Sequence, residues 1–384
     1  MRVLQLISSA GHYGAESVVL NLSTHLNRIG ATSTVGVFNN AHLPNLEIAE
    51  DAKSCGLEVE VIPCSGRIDW KTVQTLRTII KRRKIDVLHT HGYKAHAYGY
   101  LAVKSPKLPE RRSAQPSSCA LVATCHGYHS RMQQGSARYR QKVYSATELT
   151  LLRRFDRVVS VSSKLADFLR HSKVSSAKVM VITNGIDLDG FASATPSPDL
   201  QERKAGKLAI GIVSRLIEQK GHSELFEATK SMILRHPNTI VFVVGDGPLR
   251  QVLETQVHEL DIASNVVFTG KRDDMAGVYA ALDVSVLPSH NEGMPMSILE
   301  ALAANRAVVA SNVGSIAEVI HNEKTGLLME PKDVVGLRDA LERLISSRDL
   351  RESLGANGAA LVREHFSADY MATQYLSTYE GATC

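Results

Sequence analysis

The strongest chemical pattern in the chain is the segment Glu292, Gly293, Met294, Pro295, Met296, then Ser297 through Glu300. It follows an apolar run, Val284–Leu287, and the turn-forming residues Pro288 to Asn291. Proline suits the first position of a helix, where its missing N–H would lack a partner in any case. With Pro295 in that position, the backbone N–H groups around Met294 to Ser297 point out of the helix start as donors for an anion. Glu292 sits just before those donors, and Glu300 lies about one turn inside, on the side of Met296. Amides between two carboxylates suit a ligand that carries both phosphate and vicinal hydroxyls, since each carboxylate can accept two hydrogen bonds from a diol. Taken alone, two glutamates at this spacing are far more commonly a solvated loop residue and a favourable acid near a helix start.

A second pattern runs from Ile212 to Gly221 and contains Arg215 and Lys220. It stands where an apolar strand would pass into a helix, the place where open parallel sheets bind ligands. Arg215 offers a forked donor and Lys220 a compact charge, a combination suited to a diphosphate that must be held and must accept charge as it leaves. Two solvated surface cations are the plainer alternative. The turn Gly245, Asp246, Gly247 is followed by Pro248, Leu249 and Arg250, so it lacks the spacing of a dinucleotide fingerprint and disfavours nicotinamide binding. In the first half, Ser8 to Glu16 includes Gly11 and Gly14, small residues that let backbone approach a phosphate or a sugar. His126 directly follows the run Leu121–Thr124 and so belongs to the same sheet edge; a lone histidine there is more commonly a packed residue. His89 and His91 have no third ligand at a recognisable spacing, which argues against a metal pair.

These residues need a scaffold, and β-branched runs alternating with longer amphipathic stretches supply one. The pattern is that of α/β parallel sheets covered by helices. Expected strands in the first half are Val3–Ile7, Ser33–Val37, Val59–Ile62, Val87–His89, Leu121–Thr124, Val158–Val161 and Val179–Ile182, with helices over Glu16–Ile29 and Thr72–Lys84. The second half offers Leu208–Val213, Ile240–Val244, Val266–Thr269, Val284–Leu287 and Ala307–Ala310, and resembles a second version of the same plan. Between them, the Pro- and Ser-rich Ala192–Leu200 reads as a linker, and Lys104–Ser118 as a surface insertion. The tail from Ser367 to Tyr379 spaces Tyr370, Met371, Tyr375, Leu376 and Tyr379 as a helix whose apolar face must cover something.

The composition, 44% hydrophobic and 22% charged over 384 residues, excludes disordered and fibrous classes. Gln5 interrupts the first apolar run and no Ala-x-Ala site follows, so the start reads as a strand and not a signal peptide. No run reaches the roughly 18 apolar residues of a membrane span. Five cysteines without a Cys-x-x-Cys pair suit reduced thiols in a cytoplasmic protein. The net charge of +5 conceals +12 in residues 1–190 and −7 in residues 191–384, which suggests two surfaces with different partners.

Taken in order, these segments resemble the family 4 ("group 1") nucleotide-sugar glycosyltransferases of GT-B fold. The resemblance rests on Gly14-Ala15-Glu16, Asp86 to Gly92, Cys125-His126-Gly127, Val159 to Ser163, Asn184 to Asp187, Arg215 with Lys220-Gly221, Gly245 to Gly247, Gly270, Glu292 to Glu300, Gly314 to Glu318 and Thr325-Gly326. It implies two Rossmann-like domains facing across a cleft: an acceptor domain of residues 1–190 joined by a returning C-terminal helix, 365–384, and a nucleotide-sugar domain of residues 191–364. It further implies that Arg215 and Lys220 hold the diphosphate, Glu300 the ribose diol, Glu292 the donor-sugar hydroxyls and Gly14 a phosphate. The backbone around Gly270 to Arg272 would meet the base, and His126 would contact the donor sugar. The amides and side chains of Gly293, Met294, Pro295 and Met296 would complete the donor site. Tyr13 stands where the family often has a second glycine, and Met294 where it often has phenylalanine.

By the same resemblance the expected activity is a retaining transfer, by same-face displacement and without metal or other cofactor. A hexosyl group passes from a nucleoside-diphosphate sugar, a UDP-sugar in preference, to a glycan or polyprenyl-linked acceptor in cell-surface polysaccharide synthesis, of lipopolysaccharide or exopolysaccharide type. The basic first half makes the anionic inner face of the plasma membrane a candidate partner for an otherwise cytoplasmic protein; no nucleic acid is expected. Other readings are a nucleotide-sugar epimerase of the same fold, for which no acid/base groups are identifiable, and a non-catalytic sugar-nucleotide-binding subunit, which the intact set of Arg215, Lys220, Glu292 and Glu300 weakens.

Overall fold

The computed structural model describes residues 1–8, 14–42, 44–66, 69–104, 119–126 and 146–383. Gly11 and Tyr13 of the first loop, Gly127, most of the expected insertion (105–118) and the basic residues Arg111, Arg112, Arg131, Arg138, Arg140 and Lys142 lie outside them. The chain forms two compact units, Met1–Gly185 with Ala368–Cys384, and Ile186–Ser367. Each is a Rossmann-like parallel sheet with helices.

The first unit contains β1 (Arg2–Ile7), β2 (Thr32–Asn40), β3 (Glu58–Cys64), β4 (Val87–His91), β5 (Ala120–Cys125), β6 (Arg157–Ser160) and β7 (Val179–Val181), in the order β3-β2-β1-β4-β5-β6-β7. The second contains β8 (Leu208–Val213), β9 (Thr239–Val244), β10 (Val266–Gly270), β11 (Val284–Leu287), β12 (Ala307–Ser311) and β13 (Leu327–Met329), in the order β10-β9-β8-β11-β12-β13. Both orders reverse direction between the first and fourth strands, and ligands of open parallel sheets bind beyond the carboxyl ends of the strands at that reversal. In the second unit those strands are β8 and β11, which are hydrogen-bonded neighbours. They lead into Ser214–Lys220 and Pro288–Pro295. In the first unit they are β1 and β4, paired from Val3 with Val87 to Ile7 with His91.

The two sheets are anchored by the same device. Asp86, just before β4, accepts a hydrogen bond from Arg2 N at 2.7 Å, and Asp283, just before β11, accepts one from Ala209 N at 2.7 Å. In each unit an aspartate fixes the start of the first strand against the fourth, and so the register at the opposite, ligand-facing end. The central strands are buried on both faces, whereas the edge strands β3, β7 and β10 are partly exposed; Val241, Phe242 and Val243 of β9 are fully covered. Helices cover them with apolar stripes, and their ends are closed locally. Asp69 accepts from Lys71 N at 2.9 Å at the start of helix Trp70–Arg83, and Ser162 accepts from Leu165 N at 3.2 Å before helix Ser163–His171.

Among the described residues, twelve of the thirteen strands coincide with the expected apolar runs. The exception is β13, three residues at the sheet edge, too short to show a period. The Pro- and Ser-rich stretch does not behave as a free linker. Ser197 is buried, its Oγ donates to Asp274 at 2.6 Å and its N to Gly277 O at 3.0 Å, and helix Pro198–Lys204 follows directly. Prolines and serines at 195–198 therefore mark a helix start, not a domain boundary. Within the second unit, Ile186 N donates to Phe366 O at 2.9 Å, which ties together the two places where the chain passes between units. The last helix, Ala368–Thr383, begins immediately afterwards and packs on helix Gly14–Arg28 and β5, burying Met371, Tyr375 and Tyr379.

Candidate active site

In the second unit the segments following β8 and β11 meet through their backbones. Gly221, at φ +72°, joins the short turn Glu218–Lys220 to helix His222–Arg235, and a Cβ there would lie 2.1 Å from Pro288 O. Only glycine permits that approach. His290 N donates to Gln219 O at 2.8 Å across the same contact. On the far side, Gly314 at φ +59° leaves room for Glu292 O, which would be 2.0 Å from a Cβ, and Ser315 N donates to Gly293 O at 3.2 Å. The backbone carrying Glu292 is thus clamped between two glycines.

The clamp brings Lys220 and Glu292 together. Lys220 Nζ donates to Glu292 Oε1 at 2.6 Å, with the two side chains 16% and 8% exposed. Ser289 Oγ donates to the same oxygen at 2.7 Å. Glu292 Oε2 has no partner among the described residues, so one oxygen is anchored and the other remains an acceptor for a ligand hydroxyl. Helix Met296–Ala303 starts one residue later than expected. Pro295 is extended (φ −74°, ψ 119°) and flanks the helix, its carbonyl accepting from Ile298 N at 3.3 Å, so the leading amides belong to Met296 and Ser297. Met294 and Met296 are buried, which leaves their backbone, and not their side chains, for a ligand. Half-buried Glu300 accepts from Tyr279 Oη at 2.9 Å; burial, and then the Glu300 charge, push the Tyr279 phenol well above its ordinary pKa, so it remains a donor.

Arg215 is exposed in the loop after β8. Behind it Ser214 Oγ contacts His222 Nε2 at 3.2 Å, and burial, followed by the Lys220 charge, lowers the His222 pKa to about 4. Arg272 differs from the other expected donor residues. Its guanidinium is held by both oxygens of Asp199, at 2.6 and 2.9 Å, and by Asp274 at 2.7 Å, so its side chain is already paired and only the local backbone is left to meet a base. Ser289, Tyr279 and Ser315 escape a reading of the sequence, because a single serine or tyrosine carries no spacing signal until its partner is known.

In the first unit, Gly14 is exposed at the start of helix Gly14–Arg28. His126 follows β5, and its Nε2 lies 3.0 Å from Nδ1 of His91, the last residue of β4. Burial lowers the His126 pKa to about 4 and holds His91 well below the usual range, so both rings are neutral. The four ring nitrogens of His89 and His91, weighed above as metal ligands, are all engaged by protein partners. Among the described residues no group of three His, Cys, Asp or Glu is placed to hold a metal ion.

In the second unit a lysine, an exposed arginine and helix-start amides thus stand beside two anchored carboxylates, a set able to hold a diphosphate and to accept sugar or ribose hydroxyls. Comparison with known proteins gives the family. Residues 13–189 match the Glycosyltransferase Family 4 model and residues 198–361 the model of group 1 glycosyl transferases. The chain is 28% identical over 290 residues to the UDP-Gal:alpha-D-GlcNAc-diphosphoundecaprenol alpha-1,3-galactosyltransferase of Escherichia coli, covering 73% of this chain and 72% of that protein. It is 31% identical over 195 residues to the lipopolysaccharide core biosynthesis glycosyltransferase LpsD of Rhizobium meliloti, covering 50% and 55%. Among solved structures, HepE of Anabaena in complex with UDP-glucose superposes with a TM-score of 0.82 at 20% identity over 99% of both chains, a likeness of fold. With the two models matching almost the whole chain between them, the protein belongs to the family 4, group 1 glycosyltransferases of GT-B fold and is a glycosyltransferase.

Proposed function

We propose that the enzyme transfers a sugar, with retention of anomeric configuration, from a nucleoside-diphosphate sugar to a glycan or lipid-linked acceptor of cell-surface polysaccharide synthesis, with UDP as the preferred nucleotide. The observation that carries this reading is the Lys220–Glu292 pair beside the start of helix Met296–Ala303. In this reading the cation serves the leaving phosphate, and the adjoining carboxylate, with one open oxygen, serves the sugar. The names of relatives support the acceptor class: one acts on a diphosphoundecaprenol-linked sugar and another in lipopolysaccharide core synthesis. The preference for UDP is supported by the HepE complexes with UDP and with UDP-glucose.

In the proposed step the acceptor hydroxyl oxygen bonds to the anomeric carbon as the bond from that carbon to the phosphate oxygen breaks. The electron pair goes to the diphosphate, and the hydroxyl proton passes to that departing oxygen on the same face. Arg215, Lys220 and the amides of Met296 and Ser297 stabilise the growing charge, each preorganised donor contributing about 3 kcal/mol. In this proposal those cations and amides neutralise the diphosphate, and no metal is included. In this proposal Glu292, its Oε1 held by Lys220 and Ser289, orients donor hydroxyls through its open Oε2. Contact of His126 with the donor sugar, of Gly14 with phosphate, of Glu300 with the ribose and of the Gly270–Arg272 backbone with the base belong to the same proposal.

An anionic membrane surface is its last element. In the basic run Lys81–Lys84, Arg82 pairs with Glu60 at 2.6 Å and Arg83 with Glu58 and Glu60, which leaves Lys81 and Lys84 to carry the net charge of that run. The test of the function is nucleotide release from UDP-, GDP- and ADP-sugars with and without a lipid-diphosphate sugar acceptor. Release of UDP that depends on acceptor supports the reading, and sugar interconversion without release would replace it with epimerisation.

A further inference from the structure

The carboxyl end of the first sheet holds a continuous line of buried polar side chains. Gln5 of β1 is the register partner of His89 on β4, and Thr124 of β5 is the partner of His91. Side chains two apart share a face, so Gln5, His89, His91 and Thr124 all point to one side of the sheet. Helix Ala368–Thr383 covers that side with Tyr375 and Tyr379, one turn apart. Gln5, His89, Thr124 and Tyr379 are completely buried, and His91 and Tyr375 are 3% and 1% exposed.

The hydrogen bonds run without a gap. His126 Nε2 meets His91 Nδ1 at 3.0 Å; His91 Nε2 meets Gln5 Oε1 at 2.9 Å; Gln5 Nε2 donates to Tyr379 Oη at 3.2 Å. Tyr379 Oη meets His89 Nδ1 at 2.7 Å, His89 Nε2 meets Thr124 Oγ1 at 2.7 Å, and Thr124 Oγ1 meets Tyr375 Oη at 2.9 Å. Buried polar atoms left without hydrogen-bond partners elsewhere among the described residues, such as His222 Nδ1 and Thr229 Oγ1, have no counterpart in this line.

A line of this kind has a direction, and Gln5 sets it. The glutamine amide nitrogen only donates and its oxygen only accepts. Because Nε2 faces Tyr379, that hydroxyl must give its own proton to His89 Nδ1, and neutral His89 carries its proton on Nε2. Because Oε1 faces His91, neutral His91 carries its proton on Nε2 and has a bare Nδ1. His126 must then supply the proton between the two rings from its own Nε2. The geometry points to Gln5 as a positioning residue that, through His91, fixes His126 as the Nε2–H tautomer with Nδ1 bare and acceptor-only. Reversing the Gln5 amide would reverse every link and exchange the His126 tautomer. The functional meaning of this setting rests on His126 contacting the donor, as proposed above. In that contact His126 accepts a hydrogen bond from a ligand hydroxyl and does not donate one to phosphate.

The test is the tautomer itself, read without substrate. The full chain with 15N-labelled histidine is examined by long-range 1H–15N correlation near pH 7, with the His126 signals assigned by their loss in His126→Asn. The expected spectrum shows His126 protonated at Nε2 only; protonation at Nδ1 overturns the proposal. In Gln5→Met, with its fold verified by circular dichroism, the His126 signals are expected to move to those of a tautomer mixture. Unchanged signals would remove Gln5 from the role. Should Gln5→Met not fold, Gln5→Leu takes its place, since it too removes the acceptor that faces His91 Nε2 and the same mixture is expected. Because no donor is used, failure of the transferase reading leaves this measurement intact, and the reverse also holds.

Discussion

Removing one member of the Lys220–Glu292 pair separates the part the site plays in holding the second unit together from the part it plays in catalysis. Lys220→Met deletes the ammonium at 2.6 Å and leaves Glu292, 8% exposed, with Ser289 as its remaining donor. A hydrogen bond to a charged group contributes about 1.5–3 kcal/mol, and removal of one partner from a fully buried pair costs about 3–5 kcal/mol. With Lys220 16% exposed, the lower range applies, about 2 kcal/mol. The second unit spans Ile186–Ser367, a size for which 2 kcal/mol is about 4–8 °C in its thermal transition. Glu292→Gln keeps an acceptor for Ser289 and Lys220 but removes the charge, so about 1 kcal/mol is expected. The double variant removes both charges and should be more stable than the sum of the single losses predicts, by about 1–2 kcal/mol. Turnover should fall by about 100-fold or more in Lys220→Met and in the double variant, because a preorganised donor to the leaving group contributes about 3 kcal/mol, and by about tenfold or more in Glu292→Gln, which loses the charged acceptor for the sugar hydroxyls. The assay is a double-mutant cycle by differential scanning calorimetry on the second unit's transition, run beside donor turnover. Strict additivity of the stability losses, or either single variant with wild-type turnover, would refute the reasoning.

Three further outcomes follow from the geometry. Gly314→Ala forces a side chain into φ +59° with its Cβ 2.0 Å from Glu292 O, so the Glu292 backbone must shift; turnover should fall at least about tenfold, with a lowered melting temperature, as steady-state kinetics and a melt would show. Tyr379→Phe orphans Gln5 Nε2 and His89 Nδ1 in the core and should destabilise the first unit by about 2–4 kcal/mol, measured by urea titration. On acidification from pH 6.5 to 4 the first unit should lose stability. His126 (about 4), His96 (about 3), His89 and His91 all titrate below their unfolded value of 6.5, so unfolding takes up their protons, while Glu148, lifted to about 7 by burial, releases one. The net uptake of about three protons makes stability rise with pH in that window, and a flat profile by calorimetry would contradict it. For the membrane proposal, flotation with anionic vesicles should recover the protein at low salt and lose it at high salt; no recovery at low salt rejects that element.

Most of the fold is written locally. Runs such as Val241–Val244 are long enough and branched enough to declare strands, and Gly221 and Gly247 mark the turns that follow β8 and β9. Local signals fail where three-dimensional partners decide. Leu327–Met329 becomes a strand because β12 offers an edge, and Thr195–Pro198 packs because Asp274 and Gly277 wait for Ser197. The candidate site divides in the same way. Lys220, Glu292 and Glu300 are visible as charges at strand and helix ends, but the Lys220–Glu292 pair and the capture of Arg272 by Asp199 join residues 72 and 73 positions apart, and Ser289, three residues before Glu292, carries no signal until the loop is folded. Gln5 illustrates this most sharply. In the sequence it only interrupts an apolar run, and in the structure it joins two histidines to a tyrosine 374 residues away.

The central claim, same-face transfer from a nucleotide sugar held by Lys220, Arg215 and the anchored Glu292, is tested most directly by the anomeric configuration of the product. The glycoside formed from an α-linked UDP-hexose, in the reaction whose UDP release depends on acceptor, is read by 1H NMR. Retention predicts an α-linked product and its disappearance in Lys220→Met. A β-linked product from the same donor would contradict the claim.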